Sequence, residues 1–423
     1  MTDPAPPPPA PDDQGDRPAP SGAFPLYGPR FQTEPAELYR EMRRRHGAVA
    51  PVLLDGDVPA WLVLGYREVH YVTGNPNLFA RDSRRWNAWS RIPPDWPLRT
   101  LLGFHSSVLY AEGAEHRRRS GAISDSLAAV DPFELRTHCE RVADGLIDVF
   151  AGSGEADLVP GYADQIPLLV MARILGMAES ETAGLVRDFF LSVAASEGAI
   201  EADERNRERM RRLLDLKRER PGADVATRLI GHPAALGDKE IVDDLMVVMG
   251  AGQLPTSCWI GNTLRLMLTD DRFALTLAGG RRSVRQALNE VLWADTPTQN
   301  FAGRFAVRDT HLGGQHIKAG DLVILGLAAA NNDPKIRPDA YADSGGNQAH
   351  LSFSHGEHRC PHAAQELAEV IAETAIEVLL DRLPDVRLAV ADEALGWRPS
   401  PWMRGLAALP VRFTPAYVAA DLR

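Results

Sequence analysis

The segment DKEIVDDLMVVMGAGQLPTSCWIGNTLRLMLTDD, which begins at Asp238, constrains the fold more than any other part of the chain. It is long and apolar nearly all round, so it reads as a helix that runs through a core rather than along a surface. Such a helix needs other elements on every side, and 423 residues are enough to supply them. Length alone would divide the chain into two or three domains. The reading adopted is one unit over residues 23–423, preceded by a disordered Pro-rich tail over residues 1–22.

Periodicity places the other elements. PAELYREMRRRHG reads as a first helix, and APVLLDGDVPAWLVLG as two short strands around an Asp-Gly turn. YREVHYVTGNP is a short helix stopped by Gly and Asn-Pro. RDSRRWNAWSRIPPDWPLRTLLG gathers Trp86, Trp89, Trp96 and several arginines in a Pro-rich loop. From Glu112 to about Ser283 almost everything reads as helix. After the helix SVRQALNEVLW, the stretch FAGRFAVRDTHLGGQHIKAGDLVILG alternates around Gly-Gly and Ala-Gly turns, as β-hairpins do. An irregular stretch leads to Cys360 and one more helix, and LGWRPSPWMRGLAALPVRF reads as short strands. The expected class is mainly α with a minor β region.

Net charge is -11, which argues against nucleic acid or an anionic membrane as the main partner. The basic runs REMRRRHG and AEHRRRS read as solvated helix faces. Cys139, Cys258 and Cys360 are too few for a disulfide framework and fit a reducing cytoplasm. The N-terminal residues lack the basic and apolar regions of a signal peptide, and no long uncharged apolar run reads as a membrane span.

Leu367, Val370, Ile371, Ala375, Val378 and Leu379 mark one face of a helix opening at Pro361, whose missing N–H costs nothing in a first turn. That puts Cys360 at the N-cap, where free backbone N–H groups and the helix dipole favour a thiolate. Gly356 permits a tight turn or the close approach of something flat and large. His358 and Arg359 add cationic or hydrogen-bonding neighbours. The residues leave three readings open: a metal ligand, a buried structural thiol, or a nucleophile with His355, His358 or His362 as base. Zinc is disfavoured, because the other two cysteines lie far away on helices at no ligand spacing.

Phe353, Gly356 and Cys360 match the Phe-x-x-Gly-x-x-x-Cys loop of the cytochrome P450 superfamily. The chain resembles the soluble bacterial members over nearly its whole length after the tail. LYREMRRRHGAVAPVLL, PAWLVLGYREV, EGAEHRRR, VVMGAGQ, LGGQHIKAGDLVILGLAAANNDP and WRPSPWMRGLAALPVRF correspond in order. The resemblance implies a triangular, mostly α fold with haem b between the central helix and the helix after Cys360. It implies that the Cys360 thiolate is the axial iron ligand. It also implies that His116, Arg304 and His358 hold the haem propionates. The family places a further arginine where this chain has Ser120, so Arg118 or Arg119 is the expected substitute.

Three departures are informative. The family's Glu-x-x-Arg motif reads EVLW, with Glu290 present and Trp293 in place of the arginine. A glutamate buried alone is costly, so a replacement donor is expected, Arg337 or a backbone group, with Trp293 packed near the haem loop. Leu254 and Pro255 stand where relatives carry an acid and a threonine, followed by Thr256. Leucine and proline relay no proton. Pro255 is expected to open or kink the helix, leaving Gln253, Thr256 and freed carbonyls to hold water. His362 and Ser354 replace glycines of the loop.

The expected protein is a haem-thiolate oxidoreductase of bacterial secondary metabolism. Its expected partners are O2, a ferredoxin and ferredoxin reductase fed by NAD(P)H, and a small aromatic molecule or short peptide. With the usual relay missing, chemistry that draws its protons from the substrate gains ground, above all oxidative coupling of Tyr, Trp or His side chains. Gln253 and Thr256 are the expected catalytic residues; Trp86, Trp89, Leu254, Gln299 and Asn300 are the expected substrate contacts. Two other readings stand beside this one: hydroxylation through an ordered-water relay, and a haem-binding sensor or assembly partner without catalysis.

Overall fold

The computed structural model describes residues 22–193, 198–270, 273, 282–338 and 346–415. The Pro-rich tail up to residue 21 lies outside them. So do most of 271–281, read above as helix, and residues 339–345 of the irregular stretch before Cys360.

The central helix spans Asp238–Thr269, 32 residues, or roughly 48 Å at the usual rise. Its start is set by Gly237, whose N–H donates to the Glu240 carboxylate at 2.9 Å, and by acids in the first turn that face the positive end of the dipole. Buried side chains ring it, among them Ile241, Leu245, Met249, Ile260 and Leu264. Helices Gln165–Leu175, Ala199–Glu219, Arg282–Ala294 and His362–Arg382 pack around it. The expected opening at Pro255 does not interrupt the helix, which is continuous through that residue. An interior proline costs roughly 3 kcal/mol. Fully burying two large apolar side chains offsets about that much, and this helix buries many more.

The helix His362–Arg382 also lies against Pro132–Phe150, where the Cys139 thiol donates to the Ile371 carbonyl at 3.6 Å. The Tyr162 hydroxyl donates to the Ala375 carbonyl at 2.6 Å. These bonds fix the angle at which the helix leaves Cys360.

The strands are β1 Phe24–Pro25, β2 Val49–Leu54, β3 Val58–Val63, β4 Phe79–Ala80, β5 Glu155–Asp157, β6 Phe301–Ala306, β7 Thr310–Leu312, β8 Gln315–Ile317, β9 Leu322–Leu325, β10 Arg387–Leu388 and β11 Pro410–Arg412. The largest sheet runs β1-β2-β3-β9-β6-β4. β1 with β2 and β3 with β9 are parallel; the other neighbours are antiparallel. The expected Asp-Gly hairpin joins β2 to β3, with Gly56 (φ 74°) and Asp57 (φ 58°) left-handed. β6 carries a bulge between Phe301 and Arg304. The C-terminal stretch is less regular than expected. Only Pro410–Arg412 pairs as a strand there, with isolated bridges Trp397↔Leu406 and Thr298↔Met403. Pro399 and Pro401 have no N–H to give a ladder.

The Trp-rich loop folds into short turns, Ser83–Arg85 and Trp89–Arg91, and a helix Arg99–Leu102. Trp86 is buried, 4.8 Å from Trp89, 5.9 Å from Trp96 and 6.3 Å from Phe305 of β6 between ring centres. This aromatic group forms a core with β2 and β3.

Candidate functional site

The loop from Phe353 to Cys360 closes on itself. The Cys360 N–H donates to the Phe353 carbonyl at 3.0 Å, and the Arg359 N–H to the Gly356 carbonyl at 3.2 Å. Gly356 is left-handed (φ 79°), and a Cβ there would fall 2.3 Å from the Thr73 carbonyl oxygen. The close approach that requires glycine is therefore made by the helix Tyr66–Gly74. Ser354, in a glycine position of the family loop, also has positive φ (61°), a conformation costing about 1–2 kcal/mol for a residue with a Cβ. His362 is exposed and pairs with Glu366 at 3.4 Å, one turn along its helix.

Cys360 is not the N-cap. Pro361 holds that position and the helix begins at His362, so the cysteine lies one residue further out. Burial pushes its thiol up to about 12. Proximity to the helix start does not outweigh desolvation, and a thiolate at this position needs a cation against it.

Beside the loop, four basic side chains converge. His358 of the loop lies 3.8 Å between ring centres from His116, of the helix Gly113–Ala128, with the rings tilted by 47°. Arg304 comes from β6, just past the bulge, and is buried. Arg81 follows β4 and is buried as well; its guanidinium donates to the Ala302 and Gly303 carbonyls, both at 2.9 Å, that the bulge leaves out of the ladder. Among the described residues no carboxylate lies within ion-pair distance of Arg81 or Arg304. Glu357 is 3.7 Å from His116 Nδ1. Burial, reinforced by the neighbouring cations, pushes His358 down to about 2 and Arg304 well below the usual guanidinium range. Burial takes Arg81 down to about 10. A cluster of largely buried donors with only Glu357 beside it is unfavourable alone. Two carboxylates on one planar ligand, as in haem propionates, fit it.

The residues expected to substitute at position 120 are otherwise engaged. Arg119 makes a two-point ion pair with Asp244 of the central helix, at 2.9 and 2.7 Å, and Arg118 pairs with Glu240. Arg81 is the second arginine of the cradle, beside Arg304. Sequence reasoning missed it because it is one of four arginines in RDSRRWNAWSR, and only the β4–β6 pairing separates it from the rest.

The loop is braced by a rebuilt network. Glu290 pairs with Arg337 at 2.5 Å, both side chains more than nine-tenths buried. Trp293 is buried, donates from Nε1 to the Asn347 carbonyl at 2.8 Å and meets His350 edge-on at 5.9 Å. His350 lies 5.8 Å from Phe353, which lies 5.9 Å from Trp259 of the central helix. Trp293 thus acts on the loop through His350.

On the central helix, Gln253 and Ser257 share one face. Gln253 Nε2 donates to the Asp164 carbonyl at 3.1 Å, Ser257 Oγ donates to the Asp164 carboxylate, and Arg398 closes the group on the same carboxylate. Ala251 and Pro255, also four apart, lie on another face and are more open. Thr256 is buried and Leu254 packs partly buried on the helical core. Gln299 and Asn300 are buried, holding the C-terminal loop: Gln299 donates to the Ser400 and Met403 carbonyls (2.9 and 3.0 Å), and Asn300 to Pro401 (2.8 Å). Trp89 donates to the Ser83 carbonyl at 2.5 Å. The side-chain polar groups of Trp89, Gln299 and Asn300 are thus engaged with backbone.

A half-buried thiol just ahead of a helix, a basic cradle and a long helix beside them are the features that a haem-thiolate protein needs. No family model matches the chain. It is 31% identical over 364 residues to mycinamicin IV hydroxylase/epoxidase of Micromonospora griseorubida, covering 83% of this chain and 89% of that protein. It is 28% identical over 400 residues to the cytochrome P450 monooxygenase PikC of Streptomyces venezuelae, covering 91% and 92%. The solved structure of CYP154C4 from Streptomyces sp. ATCC 11861 superposes with a TM-score of 0.83 at 25% identity, over 92% of this chain and 98% of that one. The chain belongs to the cytochrome P450 superfamily. It is an oxidoreductase of monooxygenase type whose cofactor is a haem iron, and enzymes of this kind need a redox partner and a substrate. Among the described residues no helix is long and apolar enough to cross a membrane.

Proposed function

We propose that the protein is a cytoplasmic P450 of bacterial secondary metabolism that carries haem b and couples aromatic rings, in a small molecule or a Tyr-, Trp- or His-bearing short peptide. Electrons come from NAD(P)H through a ferredoxin reductase and ferredoxin, and O2 is the terminal oxidant. Cys360 would ligate the haem iron, and His116, Arg81, Arg304 and His358 would hold the propionates. Bound haem iron supplies O2 activation and one-electron oxidation. One observation carries the choice of reaction. Leu254 and Pro255 occupy the relay positions, and a buried acid beside this turn of the helix, Asp164, is tied to Gln253, Ser257 and Arg398. Among the described residues the two relay positions hold no carboxyl; coupling takes from the O–H and N–H groups of the substrate two of the four hydrogens that turn O2 into water, and the other two come from solvent. Gln253 and Thr256 position the helix and its water rather than donate protons.

Hydroxylation through a water relay is the second reading. Gln253 Oε1 is buried without a protein partner, which suits an ordered water. The two relatives named above are a hydroxylase/epoxidase and a monooxygenase. The test is turnover with ferredoxin, reductase and NAD(P)H on phenol- and indole-bearing peptides under isotopically heavy O2. Coupling yields a product short of two hydrogens and free of label; a product with one labelled oxygen selects hydroxylation. Haem-loaded protein inert on every aromatic probe counts against both.

A further inference from the structure

The hairpin β7–β8 carries a pair of histidines with no part in the haem site. Its turn is two residues, Gly313 (φ 55°) and Gly314 (φ 85°), both left-handed, which matches the right-handed twist of the strands. Leu312 and Gln315 close that turn, so the next pair out, His311↔His316, falls at a non-hydrogen-bonded position of the ladder. Side chains stand closest there. Leu312 and Ile317 are buried in the core beneath, and strict alternation therefore sends His311 and His316 to the solvent side together. The hairpin is anchored, with Gln315 Nε2 donating to the His46 carbonyl at 3.2 Å and Gly313 pressed on Val49.

Ring separation distinguishes this pair from the others. With metal–nitrogen distances of about 2.0–2.1 Å and a ring radius of roughly 1.1 Å, a tetrahedral or square-planar ion holds two imidazole centres about 4.5–5.2 Å apart. His311 and His316 stand at 5.1 Å, within that range. His116–His358 at 3.8 Å and His70–His355 at 4.0 Å are too close. A carboxylate stands beside the pair. Asp309 accepts the Ala319 N–H at 2.9 Å through Oδ1, which leaves Oδ2 3.7 Å from His316 Nε2. Among the described residues no three such side chains form a complete metal cage. The site thus supplies two nitrogens, with water filling the rest and Asp309 beside them.

The geometry points to a surface site at His311 and His316 for a first-row divalent cation that favours imidazole, such as Zn2+, Ni2+ or Cu2+. Bound there, the ion clamps the hairpin outside the haem region.

The test uses the full chain without an affinity tag, titrated calorimetrically with Zn2+ alone, with Cu2+ electron paramagnetic resonance to count nitrogen ligands. The expected result is one Zn2+ per chain and two coordinated nitrogens. His311→Gln or His316→Gln should weaken binding at least tenfold, with the metal-free melting temperature unchanged. Asp309→Asn should weaken it less, and His70→Gln should leave it as it is. Wild-type affinity in either hairpin variant overturns the site, as does loss of binding in His70→Gln.

Discussion

Replacing Trp293 by arginine restores the family's Glu-x-x-Arg motif on paper, and the structure predicts that it destabilises the protein. Glu290 already has a buried partner, Arg337 at 2.5 Å. A second guanidinium three residues along the same helix gives two cations to one carboxylate. The substitution also removes the indole that donates to Asn347 and packs on His350. Deleting a buried Trp side chain costs about 3–5 kcal/mol; the arginine stem and a bond to Asn347 recover part, and the extra buried charge takes part away. The net is about 3 kcal/mol, which for roughly 400 residues at about 2.1 cal/mol/K each lowers the melting temperature by about 3–4 °C. Thermal unfolding followed by circular dichroism reads this, and the haem absorption reports on the loop. A double-mutant cycle sharpens it. Arg337→Met alone removes the guanidinium paired with Glu290 and should cost about 3–5 kcal/mol. Adding Trp293→Arg to it should recover more than about 1 kcal/mol relative to additivity, because the new arginine can then stand in for the lost guanidinium beside Glu290. An unchanged or raised melting temperature for Trp293→Arg refutes the account of the brace, and so does strict additivity in the cycle.

Reduced protein with carbon monoxide should show the red-shifted Soret band of a thiolate ligand, and Cys360→Ser should lose it; a histidine-type spectrum in the wild type sinks the ligand assignment. Gly356→Ala should lower both haem content and melting temperature, since its φ alone costs about 1–2 kcal/mol with a Cβ and that Cβ meets the Thr73 carbonyl at 2.3 Å; normal haem loading would rule out the tight approach. Installing the family pair, Leu254→Glu with Pro255→Thr, should not raise native turnover and should divert product toward hydroxylation, whereas a large gain in the native reaction would make the enzyme an impaired hydroxylase. Arg205 and Arg209 hold the buried Asp188 carboxyl at about 2, below its ordinary 3.8. A depressed carboxyl stabilises the fold above the unfolded value and loses that as pH falls through the folded one, so about 1–2 kcal/mol should disappear between roughly pH 4 and pH 2. Asp188→Asn should flatten that segment of the acid-unfolding curve, and an unaltered curve would show the pair to be idle.

What the amino-acid order settled is what local spacing encodes. The central helix was legible because it is apolar nearly all round, and the β2–β3 hairpin because Asp-Gly sits between alternating runs. The cysteine loop was legible as a pattern of residue types. The need for a new partner to Glu290 follows from the cost of a lone buried charge; of the two expected donors, Arg337 or a backbone group, Arg337 pairs with it. The fold decided what depends on the chain's return from far away. Arg81 reaches the cradle because β4 pairs with β6, more than two hundred residues on. Arg118 and Arg119, adjacent to His116, turn instead to acids of the central helix. Gln299 and Asn300 hold the C-terminal loop by bonds spanning about a hundred residues. Pro255 breaks a local rule, yet the helix continues, because burial on the surrounding helices exceeds the loss of one ladder bond. Cys360 is next to a helix start, as its neighbours imply, but its protonation follows burial, a property of the whole fold. A periodic pattern specifies which face of an element is buried; which donor meets which acceptor there is set by tertiary packing.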